Sequence, residues 1–198
     1  DLLVPPNSEE YIAWGETRGY NGGYKCSKRN PWYRLRGLTI PDGFLQAMCG
    51  DWVHFTVNRQ GLVCTNSLYS VRLASNSKMS IESLACSMVT SVAQLSAEIE
   101  GRAYGGGLMK LEPSDASKVV IPSGLGYTTE LLHQLDRLIR NGRNYEAMRA
   151  ADQALLRSTF SQAEIEQVHE ALQRVRSRRL AKNYLYLLRG DLAVAGDG

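Results

Sequence analysis

The chain has no run of apolar residues long enough to cross a membrane, and no signal peptide is visible at its beginning. Only four of the 198 residues are cysteines, and no two of them form a Cys-x-x-Cys pair. His54, His133 and His169 are far apart, and no His-Glu-x-x-His motif occurs. These absences disfavour a structural zinc site and predict reduced, buried thiols in a cytoplasmic protein. The chain begins at Asp1 without a methionine, which suggests a processed product or a piece of a longer protein.

Motifs for nucleotide binding and for catalysis are also missing. Neither Gly-x-Gly-x-x-Gly nor Gly-Lys-Ser/Thr occurs, so the glycines at 105–107 are interpreted as a tight corner with positive backbone φ angles. The spacing supports no serine–histidine–aspartate arrangement and no close carboxylate pair. The Pro-Asp…Glu/Asp-x-Lys pattern of a nuclease is absent as well. We therefore expect no catalytic residue, no cofactor site and no metal in this chain.

Acidic residues are absent between Thr17 and Arg36, although the whole chain has a net charge of only +3. Six cations and four aromatic residues alternate in this segment: Arg18, Lys25, Lys28, Arg29, Arg34 and Arg36 with Tyr20, Tyr24, Trp32 and Tyr33. Such a cluster is typical of phosphate contact. A solvated strand edge, where cations discourage edge-to-edge pairing, explains the same residues.

The first 73 residues have the pattern of loops and strands. Turn residues fill 1–23, and the aromatic-rich stretch from Tyr24 to Leu38 is predicted to be a strand. Two further strands, 54–58 and 62–73, flank a hairpin-type turn around Asn58 and Gly61.

A long helix is predicted from Ser80, its N-cap, to Gly101. Its core-facing stripe would consist of Leu84, Met88, Val92, Leu95 and Ile99. A short strand over 108–111 and a helical turn capped by Ser114 follow before Pro122.

Beyond Pro122 only helical patterns remain, over about 129–141, 144–157 and 162–188. The Asn141-Gly142 pair separates the first two helices, and Ser161-x-x-Glu164 is a capping box that opens the last. A seam of apolar residues at spacings of three and four is predicted to pack against another helix, in this chain or in a partner: Ile165, Val168, Leu172 and Val175. A second basic cluster is interpreted as a mainly solvated helix face: Arg174, Arg176, Arg178, Arg179 and Lys182.

The tetrapeptide Asn30-Pro31-Trp32-Tyr33 is similar to the Asn/Asp-Pro-Pro-aromatic tetrad of amino-methyltransferases. Its third residue is tryptophan instead of proline, and no glycine-rich cofactor strand precedes it. We interpret Trp32 and Tyr33 as a packing and DNA-facing aromatic pair.

Four segments in a fixed order resemble a known family: 24–33 (YKCSKRNPWY), 61–66 (GLVCTN), 100–113 (EGRAYGGGLMKLEP) and 120–122 (VIP). The resemblance, over about residues 20–122, is to the C-terminal target-recognition region of gamma-class adenine-N6 DNA methyltransferases from bacterial restriction–modification systems. The succession from helix to glycines, strand, short helix and proline is also similar to the recognition domains of type I specificity subunits.

This resemblance implies a parent protein with a separate Rossmann-like domain that binds S-adenosylmethionine and carries the catalytic tetrad. The chain itself would bind double-stranded DNA and select the target site, without methylating DNA alone. The resemblance places Lys25, Lys28, Trp32, Tyr33, Arg102 and Tyr104 in or near the DNA-facing region. The charge cluster adds Arg29 and Arg34.

The sequence thus predicts an α+β fold, with a DNA target-recognition domain over 1–122 and an all-helical subdomain over 123–198. The alternative function is a helical interaction module that dimerises or docks a partner through the 165–175 seam, with the cations serving only solubility.

Overall fold

A computed structural model describes residues 6–35, 37–65, 67–123 and 127–194, with side chains only from Ser8 onward in the first helix and only up to 181 in the last. Arg36 and the side chain of Lys182, both part of the predicted basic clusters, lie outside this description. The chain folds as two compact units, 1–39 and 40–198, and each is described by itself. The α+β class is confirmed, since helices and small antiparallel sheets make up the described structure.

The first unit is helical. Helix α1 spans Pro6–Thr17, a 3-10 turn spans Tyr20–Gly22, and helix α2 spans Tyr24–Ser27. The predicted loop over 1–23 and the predicted strand over 24–38 are therefore both wrong over the described residues 6–35. Pro6 lies at the first helical position, where its missing N–H has no partner to lose, so the proline opens the helix instead of excluding it.

The second unit begins with short strands that form two three-stranded antiparallel sheets. The strands are β1 Gly43–Gln46, β2 Met48–Cys49, β3 Phe55–Val57, β4 Leu68–Val71, β5 Arg102–Ala103 and β6 Met109–Lys110. The first sheet has the order β3-β1-β4 and the second has the order β2-β6-β5.

The two strands expected within 54–58 and 62–73 exist as β3 and β4, but they do not pair with each other as a hairpin. Both pair with β1, which the sequence pattern did not predict. The side chain of Asn58 stabilises the turn instead, because its Nδ2 donates to the carbonyls of Pro41 and Leu62, each at 2.8 Å. β1 begins at Gly43, where a Cβ would lie 2.8 Å from the carbonyl oxygen of Thr56, so only glycine allows this approach.

The helix predicted from Ser80 to Gly101 is two helices, α3 Ile81–Val89 and α4 Ser91–Glu100. Ser80 is confirmed as the N-cap, since its hydroxyl accepts from the amide of Ser83 at 3.1 Å. Thr90 has extended backbone angles and caps α4 in the same way. The break changes the face that the second half presents to the core, which leaves Ile99 63% exposed while Ala97 is fully buried. The predicted stripe is therefore wrong at its end.

Gly101 ends α4 as predicted, but not with a left-handed conformation, because its φ is −72°. The reason for glycine is close packing: a Cβ would lie 2.7 Å from the Met109 side chain and 2.8 Å from the carbonyl oxygen of Ala97. Met109 on β6 is 1% exposed and belongs to a buried apolar cluster that also contains Leu45, Ala97 and Leu111. Gly101 thus lets β5 and β6 pack directly on the end of α4.

Replacing Gly101 with alanine is expected to lower the free energy of unfolding by about 1–3 kcal/mol, because the added methyl overfills this contact. Urea titration followed by circular dichroism measures the change. Gly105→Ala is the control, since a Cβ there meets no atom within 4 Å. Equal urea midpoints for the two variants would contradict the close-packing explanation.

The remaining helices are α5 Pro113–Ala116, α6 Thr129–Arg140, α7 Asn144–Leu155 and α8 Gln162–Val194. The N-cap of α5 is Glu112, so the predicted cap at Ser114 is wrong by two residues. The capping box at the start of α8 is confirmed, with the Glu164 carboxylate 2.7 Å from the amide of Ser161. α8 packs on α4, and α3 packs on α6 and α7. The domain boundary at 122/123 stays a prediction.

Candidate nucleic-acid interface

The cations of the first unit are presented to solvent without acidic partners. Lys25 on α2, Lys28 at its C-cap and Arg34 beyond it are exposed, and Arg29 is half-buried. Among the described residues of this unit, none of these side chains forms an ion pair with a carboxylate. Their charge is therefore free to meet an anion from solution.

Trp32 and Tyr33 have different roles in this unit. The Trp32 indole donates to Glu16 Oε1 at 2.8 Å and packs over buried Gly15, where a Cβ would meet the ring at 3.0 Å. Trp32 thus joins the segment to α1, and it is only partly accessible. Tyr33 meets Trp32 edge-on at 5.8 Å and is 38% exposed, so it is the more available of the two rings.

A second aromatic group lies on α1 and the following turn, and the sequence analysis missed two of its three rings, Tyr11 and Trp14. Tyr11 stacks on Trp14 with ring centroids 5.5 Å apart, and Tyr20 meets Trp14 edge-on at 5.7 Å. The Arg18 guanidinium lies 5.6 Å from the Trp14 ring centre. The spacing of three and four between Tyr11, Trp14 and Arg18 is the helical signal, but residues 1–23 were predicted to be a loop.

In the second unit, Arg102 and Tyr104 lie at the glycine corner that joins β5 to β6. Gly106 and Gly107 have φ angles of +77° and +71°, which confirms the tight corner with positive φ for these two of its three glycines. The amide of Tyr104 donates to the carbonyl of Leu108 at 2.8 Å and closes the corner. The corner follows α4 and leads into β6, so no helix N-terminus is aimed at a ligand here.

Arg102 is directly opposite Lys110 in the β5–β6 pair, so two cations share one face of this ladder. Each cation has an acidic neighbour: Arg102 Nε lies 3.0 Å from Asp115, and Lys110 Nζ lies 2.7 Å from Glu112. The hydrogen bond from Arg102 lowers the pKa of the Asp115 carboxyl. The Arg102 side chain nevertheless remains 59% exposed, and Lys110 lies 5.7 Å from the centre of the Tyr104 ring. Lys110 is a candidate contact that the sequence analysis missed.

Two arginines of the second basic cluster are buried instead of solvated. Arg176 and Arg179 are each only 8% exposed, and both pair with the buried carboxylate of Glu98 on α4. The interpretation of this cluster as a solvated face is therefore wrong for these two residues, while Arg174 and Arg178 are exposed as expected. The sequence pattern of α8 could not predict this pairing, because Glu98 lies 78 residues before Arg176 in the chain.

The predicted seam on α8 is covered by this chain. Ile165 is 3% exposed and Leu172 is fully buried, and α8 packs on α4. Val168 and Val175 are half-buried. The first of the two predicted partners, a helix of the same chain, is thus the one observed.

One cavity in the described part of the second unit contains none of the predicted DNA contacts. Its volume is about 400 Å³, and β3, α3 and α6 line it with residues such as Phe55, Met88 and Leu135. Burial lowers the pKa of His54, which also lines it.

Comparison with known proteins identifies the family. The model of the C-terminal domain of the type II methyltransferase M.Eco57I matches residues 3–156, well over half of the chain. The chain belongs to this family. The M.Eco57I C-terminal domain match begins before α1 and ends just after α7, so it includes most of the first unit, the second unit as far as α7, and both candidate DNA-contact regions.

One curated relative is the type II methyltransferase M.AccI of Acinetobacter calcoaceticus. It is 26% identical over 114 residues, which cover 57% of this chain and 21% of M.AccI. The aligned part thus spans about a fifth of that relative's length. No solved structure matches the chain. The predicted resemblance to the C-terminal region of a methyltransferase is confirmed by the M.Eco57I family match.

Within the described ranges, no helix is both long enough and apolar enough to cross a membrane.

Proposed function

We propose that this chain is the non-catalytic, DNA-binding and target-selecting C-terminal part of a site-specific adenine-N6 DNA methyltransferase. The observation that carries the proposal is the exposed basic segment of the first unit, which has no acidic partner among the described residues of that unit. Unpaired cations at a protein surface provide the sequence-independent part of duplex binding, because each phosphate contact releases counterions.

The glycine corner supports the same function from the second unit. Two cations placed opposite each other on β5 and β6 repel, and here nearby carboxylates offset the repulsion. The Arg102 guanidinium is 59% exposed beside the buried Asp115 carboxylate, so its remaining N–H groups can contact a DNA phosphate while the pair with Asp115 stays intact. Tyr104, 47% exposed beside them, offers a ring for contact with a sugar or a base.

The catalytic steps belong to the rest of the parent protein, a bacterial and cytoplasmic restriction–modification enzyme. We assign S-adenosylmethionine to the catalytic domain and not to this chain, because glycines 105–107 form a single 3-10 turn between β5 and β6 and no long helix begins at them. The methyltransferase catalytic domain would bind the cofactor and receive the flipped adenine, while this chain fixes the register on the duplex. An Asn-Pro-Pro-Tyr motif upstream of Asp1 in the parent gene would support adenine-N6 chemistry, and its absence would contradict it.

The test of DNA binding is a titration of a labelled duplex of mixed sequence, followed by fluorescence anisotropy over a range of salt concentrations. We expect the logarithm of the binding constant to fall linearly with the logarithm of the salt concentration, by about 0.9 for each phosphate contact. The control is a neutral peptide-nucleic-acid duplex, which has no phosphates. Binding that does not depend on salt, or no binding to any duplex, would contradict the proposal.

A further inference from the structure

A side chain of the last helix forms hydrogen bonds to the glycine corner. Arg179 of α8 donates to the carbonyl of Gly107 inside the corner. Its Nη2 also donates to the carbonyl of Gly50, at 2.9 Å. Gly50 follows β2 and Gly107 precedes β6, so one guanidinium joins the ends of two paired strands.

The same guanidinium is fixed by Glu98. Its Nε and Nη2 lie 2.9 and 2.8 Å from the two carboxylate oxygens, which is the bidentate arrangement that suits arginine. Both side chains are almost completely buried, with 6% and 1% of their surface exposed. Hydrogen bonding to Glu98 raises the pKa of Arg179. A buried charge held by four hydrogen bonds has very little freedom to move.

We propose that Glu98 and Arg179 are positioning residues that set the glycine corner in the conformation that presents Arg102, Tyr104 and Lys110 to DNA. This inference rests on the proposed DNA-binding function. A buried ion pair is weak evidence for added stability, since apolar residues of similar size often serve as well. Apolar residues could not replace the two hydrogen bonds that Arg179 donates to the backbone carbonyls of Gly107 and Gly50. The first of these bonds acts on the corner itself.

The chain contains a matched control. Arg176 is as buried as Arg179, lies on the same helix and pairs with the same carboxylate, with Nε 3.1 Å from Glu98 Oε1. Its guanidinium lies over the Trp52 ring, 4.3 Å from the ring centre, and among the described residues its only hydrogen bond is to Glu98. Replacing Arg176 therefore disturbs the charge network without releasing the corner.

The experiment compares Arg179→Lys with Arg176→Lys. Lysine keeps the positive charge beside Glu98, but a single ammonium lacks the planar fork that reaches the carboxylate and both carbonyls. We expect hydrogen exchange of the amides at 104–108 to become faster in Arg179→Lys and to stay near the wild-type rate in Arg176→Lys. We also expect Arg179→Lys alone to bind duplex more weakly, by up to about eightfold at 0.1 M salt for each phosphate that the corner no longer reaches.

Unchanged exchange at 104–108 in Arg179→Lys would overturn the inference, whatever the DNA result. Faster exchange with unchanged duplex affinity would also overturn it, because the corner would then have no part in binding. If wild-type protein binds no duplex, the proposed function and the DNA role of the corner both fail, while the exchange rates still report whether Arg179 holds it. Should Arg179→Lys not fold, Glu98→Asp replaces it, since the shorter carboxylate keeps the negative charge between the two arginines and cannot hold Arg179 in the same bidentate geometry.

Discussion

Glu98→Ala is expected to destabilise the protein by about 3–5 kcal/mol, because it leaves Arg176 and Arg179 buried without their shared counter-charge. A typical domain is stable by only about 5–15 kcal/mol, so this one change would remove a large part of the total. Water cannot easily replace the carboxylate, since both guanidinium groups are almost fully enclosed. Chemical denaturation at neutral pH measures the decrease in the free energy of unfolding, with the dependence on denaturant concentration fitted separately for each variant.

Glu100→Ala is the matched control for this measurement. Glu100 is on the same helix, and its nearest cation is the exposed Lys118, at 3.9 Å. Its replacement should cost less than about 1 kcal/mol, as is usual for a surface pair. Equal destabilisation in the two variants would show that the buried network contributes nothing beyond an ordinary exposed charge.

The second large effect is expected for duplex binding when Lys25, Lys28 and Arg34 are replaced together by alanine. All three side chains are exposed, so folding should be unchanged. At 0.1 M salt, each phosphate left without its cation should weaken binding about eightfold, and the salt dependence should fall by about 0.9 per phosphate. Anisotropy titrations of wild type and variant at several salt concentrations measure both quantities.

The control keeps the same change in net charge but places it elsewhere. Arg140, Arg143 and Arg149 are exposed on α6, α7 and the turn between them, and each has an acidic partner. Their triple alanine variant should retain nearly all of the affinity. Equal weakening in the two triple variants would mean that duplex binding responds to total charge and not to the basic segment of the first unit.

Local signals in the sequence were sufficient for the C-terminal helices and for the caps at Ser80 and Ser161. Ser80 and Ser161 cap helices through hydrogen bonds to residues three positions away, and Gly142 ends a helix with a positive φ. Such local features can be predicted from a single sequence. The first unit was predicted wrongly because its aromatic residues suit strands and helices alike. There, Trp32 packs on Gly15 of α1, and no periodic pattern reports such a contact.

The sequence predicted most of the residues of the candidate interface, but not the contacts that arrange them. The exposed cations followed from the missing acidic residues, whereas Lys110 needed the strand register that places it opposite Arg102. The Glu98–Arg179 pair joins residues 81 apart in sequence, and in linear form its arginine resembled one more surface charge. Contacts between residues so far apart depend on the tertiary fold, and the spacing of residue types along the sequence does not predict them.

The connection from Arg179 to Gly107 also has a consequence for biosynthesis. The two residues are 72 positions apart, so the ribosome completes the whole corner long before the arginine that braces it has left the exit tunnel. The family match ends at residue 156, and a fragment cut there would keep every predicted DNA contact yet lack the brace. An expression fragment of this chain must therefore extend beyond Arg179 if the glycine corner is to keep the conformation described above.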